Sequence, residues 1–380
     1  MKRLMKSLLP NNIRYFDYNA THPPIPHILE EGNAEYIREY FNPSGATRFS
    51  LSNQGKIENV RKYFAQIAGT ADKNIVFSST GTEANYLLIK ALRKKLPNQT
   101  SVIVSPFEHS SMYSALRDHD FTMKILKTNL SGIVDLHSLR TFLDESNDPI
   151  VCLHTGNETG VIQPTDQISK IAKEYGVYFL SDLIQAYGKT ELRFDEFSGC
   201  TFSSHKIGGG MGTAITINNF DLETYSLFGG GNQENGHRAG SENLASILCF
   251  NKASEFQLSQ LHVKKERLYK YRNYIENQLE EVGCFTLAKE SPRACNTSFI
   301  LLPIEEIDFF LLGMEENGYI ISTGSSCKSR AREASSSLLA MGYSKEESLR
   351  CIRISTGVFT TEEEVVGLTT QIKDLLNTFR

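Results

Sequence analysis

The chain has 380 residues, 40% hydrophobic and 22% charged, and 40 Lys and Arg against 44 Asp and Glu leave a net charge of −4. That length supports a large buried core shared by two cooperating domains, and the charge balance argues against a nucleic-acid surface. No apolar run approaches the roughly 20 residues of a membrane span, and MKRLMKSLLP at the start is too short in apolar residues for a secretory leader. Seven cysteines without CxxC or zinc-like spacing predict reduced thiols in a cytoplasmic setting, with no disulfide framework and no metal site.

Taken in chain order, Ile57, Val60, Phe64 and Ile67 recur at helical spacing, and Gly69 supplies a stop. The strand-like Ile75-Val76-Phe77 and the helical TEANYLLIKALRKKL follow. The alternation continues through SVIVSP, MKIL, PIVCLHT, ISKIAKEYG and VYFLSD. Strands separated by helices predict an α/β fold with a mostly parallel sheet and helices on both faces. From about residue 252 the texture changes. One long polar helix, EFQLSQLHVKKERLYKYRNYIENQLEEVG, precedes scattered strands in NTSFILL, YIIST and RCIRIST, and TTEEEVVGLTTQIKDLLNTF closes the chain as a helix. The expected division is a large domain over 17–251, a smaller α+β domain over 252–380, and an arm, 1–16, packed with the smaller domain.

Chemistry-bearing residues gather where the predicted strands end, which is where open α/β sheets bind ligands. Lys206 lies between a strand and the glycine-rich turn Ile207-Gly208-Gly209-Gly210. A lysine desolvated there loses its proton near neutral pH and forms a Schiff base; the plainer alternative is a surface lysine before a flexible loop. Asp182 ends the apolar strand of VYFLSD, where a carboxylate keeps a pyridinium nitrogen protonated or simply caps a helix. Ser78-Ser79-Thr80-Gly81-Thr82 joins a strand to a helix and offers N–H groups and hydroxyls to a phosphate, without Walker spacing; capping is the alternative. His109 is placed to stack on a flat ring and move a proton, or to serve as an ordinary loop residue. Asn157 and Gln185 also follow strands, where amides bond a ligand hydroxyl or finish a turn.

Two features belong to the later part of the chain. Arg353 alternates onto the more polar face of CIRIS, and a guanidinium there suits a carboxylate. Cys327, in STGSSCKSR, is set among small polar residues and two cations, which favours an accessible thiolate. Core packing explains most of the other six cysteines.

The ordered series resembles the cysteine desulfurases of the class V aminotransferase group, in the branch with a long cysteine loop (group I). The landmarks run from Asp17-Tyr18-Asn19-Ala20-Thr21 through Asn42-Pro43-Ser44, Thr80-Gly81-Thr82-Glu83, Glu108-His109 and Asn157-Glu158-Thr159-Gly160-Val161. They continue through Asp182, Gln185, Ser203 to Lys206, Gly236-His237-Arg238-Ala239-Gly240-Ser241, Gly324 to Cys327, and Arg353 to the run Phe359 to Glu364. The resemblance implies a fold type I pyridoxal-phosphate domain with a seven-stranded sheet, and a homodimer with active sites at the subunit interface. It implies that Thr82, Ser203 and His205, with Gly81 beside them and the partner subunit's Ser241, hold the phosphate. His109 then stacks on the ring, Asp182 pairs with its nitrogen, Gln185 bonds its phenolic oxygen, and Asn157 and Arg353 orient the substrate carboxylate.

The implied reaction turns L-cysteine into L-alanine. Lys206 takes the α-proton, Cys327 receives the sulfur as a persulfide, and an acceptor protein or a thiol removes it. The sequence departs from the pattern at Gly45-Ala46-Thr47-Arg48, at Ile207 to Met211, at Val358, and in ending at Arg380 without the longer tail of housekeeping members. These departures bear on the acceptor and leave the basic chemistry intact. Another lyase or aminotransferase of the same fold, including a selenocysteine lyase, is the nearest rival, and Cys327 is what separates it. A non-catalytic partner protein is the other rival, and Lys206, Asp182 and His109 argue against it.

Overall fold

The computed structural model describes residues 13–220, 225–305, 307–323 and 333–379. A short strand, β1 (Arg14–Tyr15), precedes the strands of the central sheet: β2 (Ile75–Ser78), β3 (Ser101–Val104), β4 (Thr122–Ile125), β5 (Ile150–Val151), β6 (Phe179–Asp182), β7 (Gly199–Ser203) and β8 (Ala214–Asn218). These seven lie in the order β2-β8-β7-β6-β5-β3-β4. All run parallel except β8, which is antiparallel to both neighbours. Sequence pattern explains the arrangement: IVFS, FLSD and AITIN are buried along their whole length, as strands covered on both faces must be.

The two-residue period of a strand assigns its side chains to opposite layers. Ile103 of β3 points into one apolar cluster, with Ile57, Phe64, Phe202 and Phe250, while Val102 and Val104 point into another with Leu87, Leu88, Met112 and Leu116. Tyr187 stacks on Phe202 at a ring separation of 4.2 Å in the first layer. Its covering helix, Arg48–Ala68, ends at Gly69 with φ 63°, the left-handed conformation that made this glycine a credible stop.

The long polar helix expected after residue 252 is instead two helices, Leu244–Ser259 and Leu261–Glu280, which meet at Gln260. They serve different partners, which is why the axis breaks. Leu244, Ile247, Leu248 and Phe250 pack into the layer against the large sheet, whereas Ile275 and Leu279 enter a separate cluster.

That cluster backs the strands β9 (Phe285–Thr286), β10 (Thr297–Leu301), β11 (Tyr319–Ile320) and β12 (Cys351–Ser355). β12, β10 and β9 form an antiparallel sheet, with the closing helix Glu362–Phe379 packed on Leu261–Glu280. β1 pairs in parallel with β11, and Phe16 is buried in the same cluster. Among the described residues no helix is long and apolar enough to cross a membrane.

A buried ion pair fastens the segment after β8. Both guanidinium NH groups of Arg61 donate to the Glu234 carboxylate, at 2.7 and 2.9 Å, and Phe77 N donates to it at 2.7 Å. Glu234 and Asn235 both carry positive φ, so the pair holds a strained turn in place. Arg61→Met removes one partner and leaves a buried carboxylate, so we expect a loss of about 3–5 kcal/mol in guanidinium unfolding. A variant as stable as the parent refutes this role.

Candidate active site

Parallel strands deliver their carboxyl ends to one edge of the sheet, and the expected residues are found there. β7 runs through Ser203 directly into the short turn Ser204–Lys206, and β6 ends at Asp182. Lys206 Nζ donates to the main-chain carbonyls of Asn19 at 2.6 Å and Ala20 at 2.7 Å. Burial and then the Arg353 charge bring its pKa down to about 8, against a weaker pull upward from Asp17 and Asp182. A Schiff-base lysine needs this environment.

Asp182 is buried, and burial raises its pKa against donation from Asn85 and from Ile184 N. Asn85 Nδ2 donates to Asp182 Oδ2 at 3.0 Å and to Ser111 Oγ at 3.0 Å, and Asn85 Oδ1 accepts from Thr201 at 2.6 Å. His109 Nδ1 lies 2.8 Å from the same Ser111 hydroxyl, accepts from Ser111 N, and caps the helix Ser110–Asp118 with its ring exposed. One polar chain thus links His109, Ser111, Asn85 and Asp182. Asp182 also closes its own turn through Ile184 N at 2.8 Å, so the capping alternative and the site position coexist.

The helix Gly81–Lys95 begins beside this network. Thr80 caps it by accepting from Glu83 N, while Glu83 Oε2 accepts from Ser79 N. A Cβ on Gly81 would fall 2.5 Å from Ile184 Cδ1, so a larger residue at the helix start would have to push that side-chain tip aside. Thr82 and Ser241 are exposed, whereas Ser203 is buried. His205 bonds Thr21 Oγ1 at 3.1 Å, and burial brings its pKa down to about 4, which leaves a neutral ring.

Gln185 Nε2 donates to the Asn19 carbonyl at 2.9 Å. Arg353 is buried too, because its face of β12 packs on polar groups: its NH2 meets Asp17 Oδ1 at 2.6 Å and its NH1 meets the Asn157 carbonyl at 2.9 Å. Asn157 is therefore engaged through its main chain. Cys327 lies outside the described residues. The six others are buried, and burial raises the thiol pKa of Cys152, Cys200, Cys249, Cys295 and Cys351, which makes these five poor nucleophiles at neutral pH.

Residue-by-residue reading missed the roles of Asn19 and Asn85. Asn85 had a signal, since it sits on the helix face of Ala84, Leu87 and Leu88, where a polar side chain needs a buried partner. Asn19 had none beyond its place in the Asp17–Thr21 run.

Residues 14–368 match the model of the family described as Aminotransferase class-V. The cysteine desulfurase IscS of Dictyoglomus turgidum is 32% identical over 363 residues, covering 92% of this chain and 91% of the relative. The chain belongs to the class V aminotransferases, in their cysteine desulfurase group. Pyridoxal-phosphate dependence is a property of that family. A solved NifS-like protein from Rickettsia africae superposes with a TM-score of 0.87 at 27% identity, over 96% of this chain and 99% of its own. SspA, solved in complex with cysteine, gives a TM-score of 0.79 at 25% identity, over 92% and 100%.

Because the free amine of Lys206 accumulates above its lowered pKa, reductive alkylation of Lys206 in the cofactor-free protein should reach half its limiting rate near pH 8. Ordinary lysines lag until about 10.4. Peptide mass spectrometry across pH measures this, and a midpoint shared with surface lysines rules it out.

Proposed function

We propose that this cysteine desulfurase binds pyridoxal 5'-phosphate through Lys206, converts L-cysteine to L-alanine and passes the sulfur to Cys327. The observation that carries the reading is the Lys206 amine, brought to about 8 in a site that also holds the buried Asp182 carboxylate. The residues present fit the cofactor: an amine that sheds its proton near neutrality, a carboxylate fixed by Asn85, and a helix start at Gly81 with Ser203 beside it. When bound, the cofactor supplies an electron sink for charge developing at the substrate α-carbon.

In this reading Asp182 pairs with the ring nitrogen, His109 covers the ring, and Gln185 donates to the phenolic oxygen. Gly81, Thr82, Ser203 and His205 surround the phosphate. Arg353 and Asn157 hold the substrate carboxylate, Lys206 takes the α-proton, and the Cys327 thiolate accepts sulfur before an acceptor protein or a thiol removes it. A large domain, expected over 17–251 and extended to Ser259 by the helix packed on the large sheet, carries the cofactor residues, and a smaller one beyond Gln260, in place of the expected 252–380, with the arm 1–16, carries Arg353 and Cys327.

A second copy of this chain completes the site by contributing its Ser241 in a homodimer. Supporting this, Tyr36, Ile37, Tyr40, Phe49 and Leu51 are exposed around the stacked rings of Tyr40, Phe41 and Phe49, an apolar group that suits an interface. The buried thiols of Cys152, Cys200, Cys249, Cys295 and Cys351 agree with a cytoplasmic setting.

Lys206→Ala should lose the imine absorbance and nearly all release of sulfide and alanine from L-cysteine; retention of both refutes the assignment. Cys327→Ser should still bind cofactor and cysteine but form no persulfide, as read by peptide mass spectrometry after brief exposure to cysteine. Persulfide on Cys152 or Cys351, with the Cys327 variant fully active, overturns the sulfur transfer to Cys327 proposed here. Arg353→Lys keeps a charge near Asp17 but loses the fork, so the KM for cysteine should rise on the order of tenfold, since a charge-assisted contact is worth ~1.5–3 kcal/mol. Unchanged kinetics would reduce Arg353 to a structural partner of Asp17.

A further inference from the structure

Lys189 is buried beside the site, yet no step above uses it. Its Nζ donates to Gln185 Oε1 at 2.6 Å and to Asn19 Oδ1 at 3.1 Å. Asn19 Oδ1 also accepts from Asn296 Nδ2 at 3.2 Å, and Asn19 Nδ2 donates to Thr297 Oγ1 at 2.9 Å, so the Asn19 amide has one workable orientation. The same logic then fixes Gln185. With its oxygen held by Lys189, the nitrogen must face the Asn19 carbonyl, which also receives Lys206 Nζ. A carboxamide has two faces of similar shape and opposite hydrogen-bonding sense, and only its partners decide between them.

We propose that Lys189 is a positioning residue that locks the Gln185 amide with its N–H groups toward the Lys206 side of the site. The inference rests on the cofactor reading above, in which Gln185 meets the cofactor as a donor. One Nε2–H is committed to the Asn19 carbonyl, and the lock decides that the group presented alongside it is the second N–H, not the carbonyl oxygen.

The chemistry of Lys189 suits the task. Burial and then the charges of Lys206, Arg353 and Lys264 lower its pKa well below the ordinary lysine range, which favours the neutral amine, while Cys295 opposes them. The uncharged His22 ring and Cys295 line the same small cavity. A neutral amine has two N–H groups, which match the two amide oxygens, and it adds no cation beside Lys206. A permanently charged side chain there would oppose protonation of an imine at Lys206.

The test compares wild type, Lys189→Met, Gln185→Leu and the double variant for pyridoxal 5'-phosphate affinity and for the pH midpoint of the imine absorbance. Each single variant should weaken affinity by about tenfold, the usual scale for a lost hydrogen bond that leaves a partner unsatisfied. Both should move the midpoint in the same direction, and the double variant should match Gln185→Leu instead of reaching a hundredfold. Lys189→Gln, shorter but still a donor, is measured alongside with thermal melts, so that a poorly folded methionine variant does not decide the outcome. A wild-type midpoint and affinity in folded Lys189→Met, or additive losses in the double variant, overturns the role. Absence of the imine band in the wild type instead overturns the cofactor reading itself.

Discussion

The main-chain carbonyl of Asn19 is the point on which the site depends. It accepts from both Lys206 and Gln185, which belong to different loops of the large sheet, and so fixes their separation. Asn19 N donates to Ser355 Oγ at 3.0 Å and the neighbouring Asp17 pairs with Arg353, both on β12 of the smaller sheet. The run Asp17–Thr21 therefore threads between the two sheets and takes a hydrogen bond from each. A main-chain acceptor has an advantage here, because no side-chain substitution at 19 removes it.

Charge in the site is arranged by what is allowed to stay ionised. Lys189, Lys206, Lys264 and Arg353 are gathered within one buried region, with few carboxylates to balance them. The guanidinium pairs with Asp17, while burial lowers Lys189 well below the ordinary lysine range and brings Lys206 and Lys264 down to about 8. On the acidic side, burial and then the Asp182 charge push the Glu108 carboxyl up to about 8, so it holds its proton at neutrality and Asp182 has no anionic neighbour there. Burial thus shifts the lysines down and the carboxyls up, toward the range in which acid–base chemistry works.

The sequence disclosed most where one residue answers to one local force. Gly69 ends its helix in a left-handed conformation, and β2, β3, β5 and β6 announce themselves as apolar runs with chemistry at their ends. Lys206 and Asp182 were legible for the same reason. The break at Gln260 was not, since the polar helix keeps its period while its packing partner changes, and no Gly or Pro marks the place. Asn85 and Lys189 hide for a related reason: their roles lie in which distant groups they meet. Arg353 was assigned to the right strand, but the burial of its face depends on Asp17, which lies far away in the chain.

The junction at Gln260 also bears on how force passes through the molecule. Helix Leu244–Ser259 belongs to the layer on the large sheet, and helix Leu261–Glu280 belongs to the smaller sheet, so a single peptide would be the natural swivel between them. Lys264, one turn past the junction, donates backward to Gln257 Oε1 and across to the Gly188 carbonyl. Those two bonds bridge the swivel like a brace. Any rotation of the smaller sheet must either strip a buried amine of its acceptors or carry Gly188, and with it the adjoining Lys189, along the same arc. Torque applied at the smaller sheet would thus reach the Gln185 amide mechanically, through the Lys264 and Lys189 side chains.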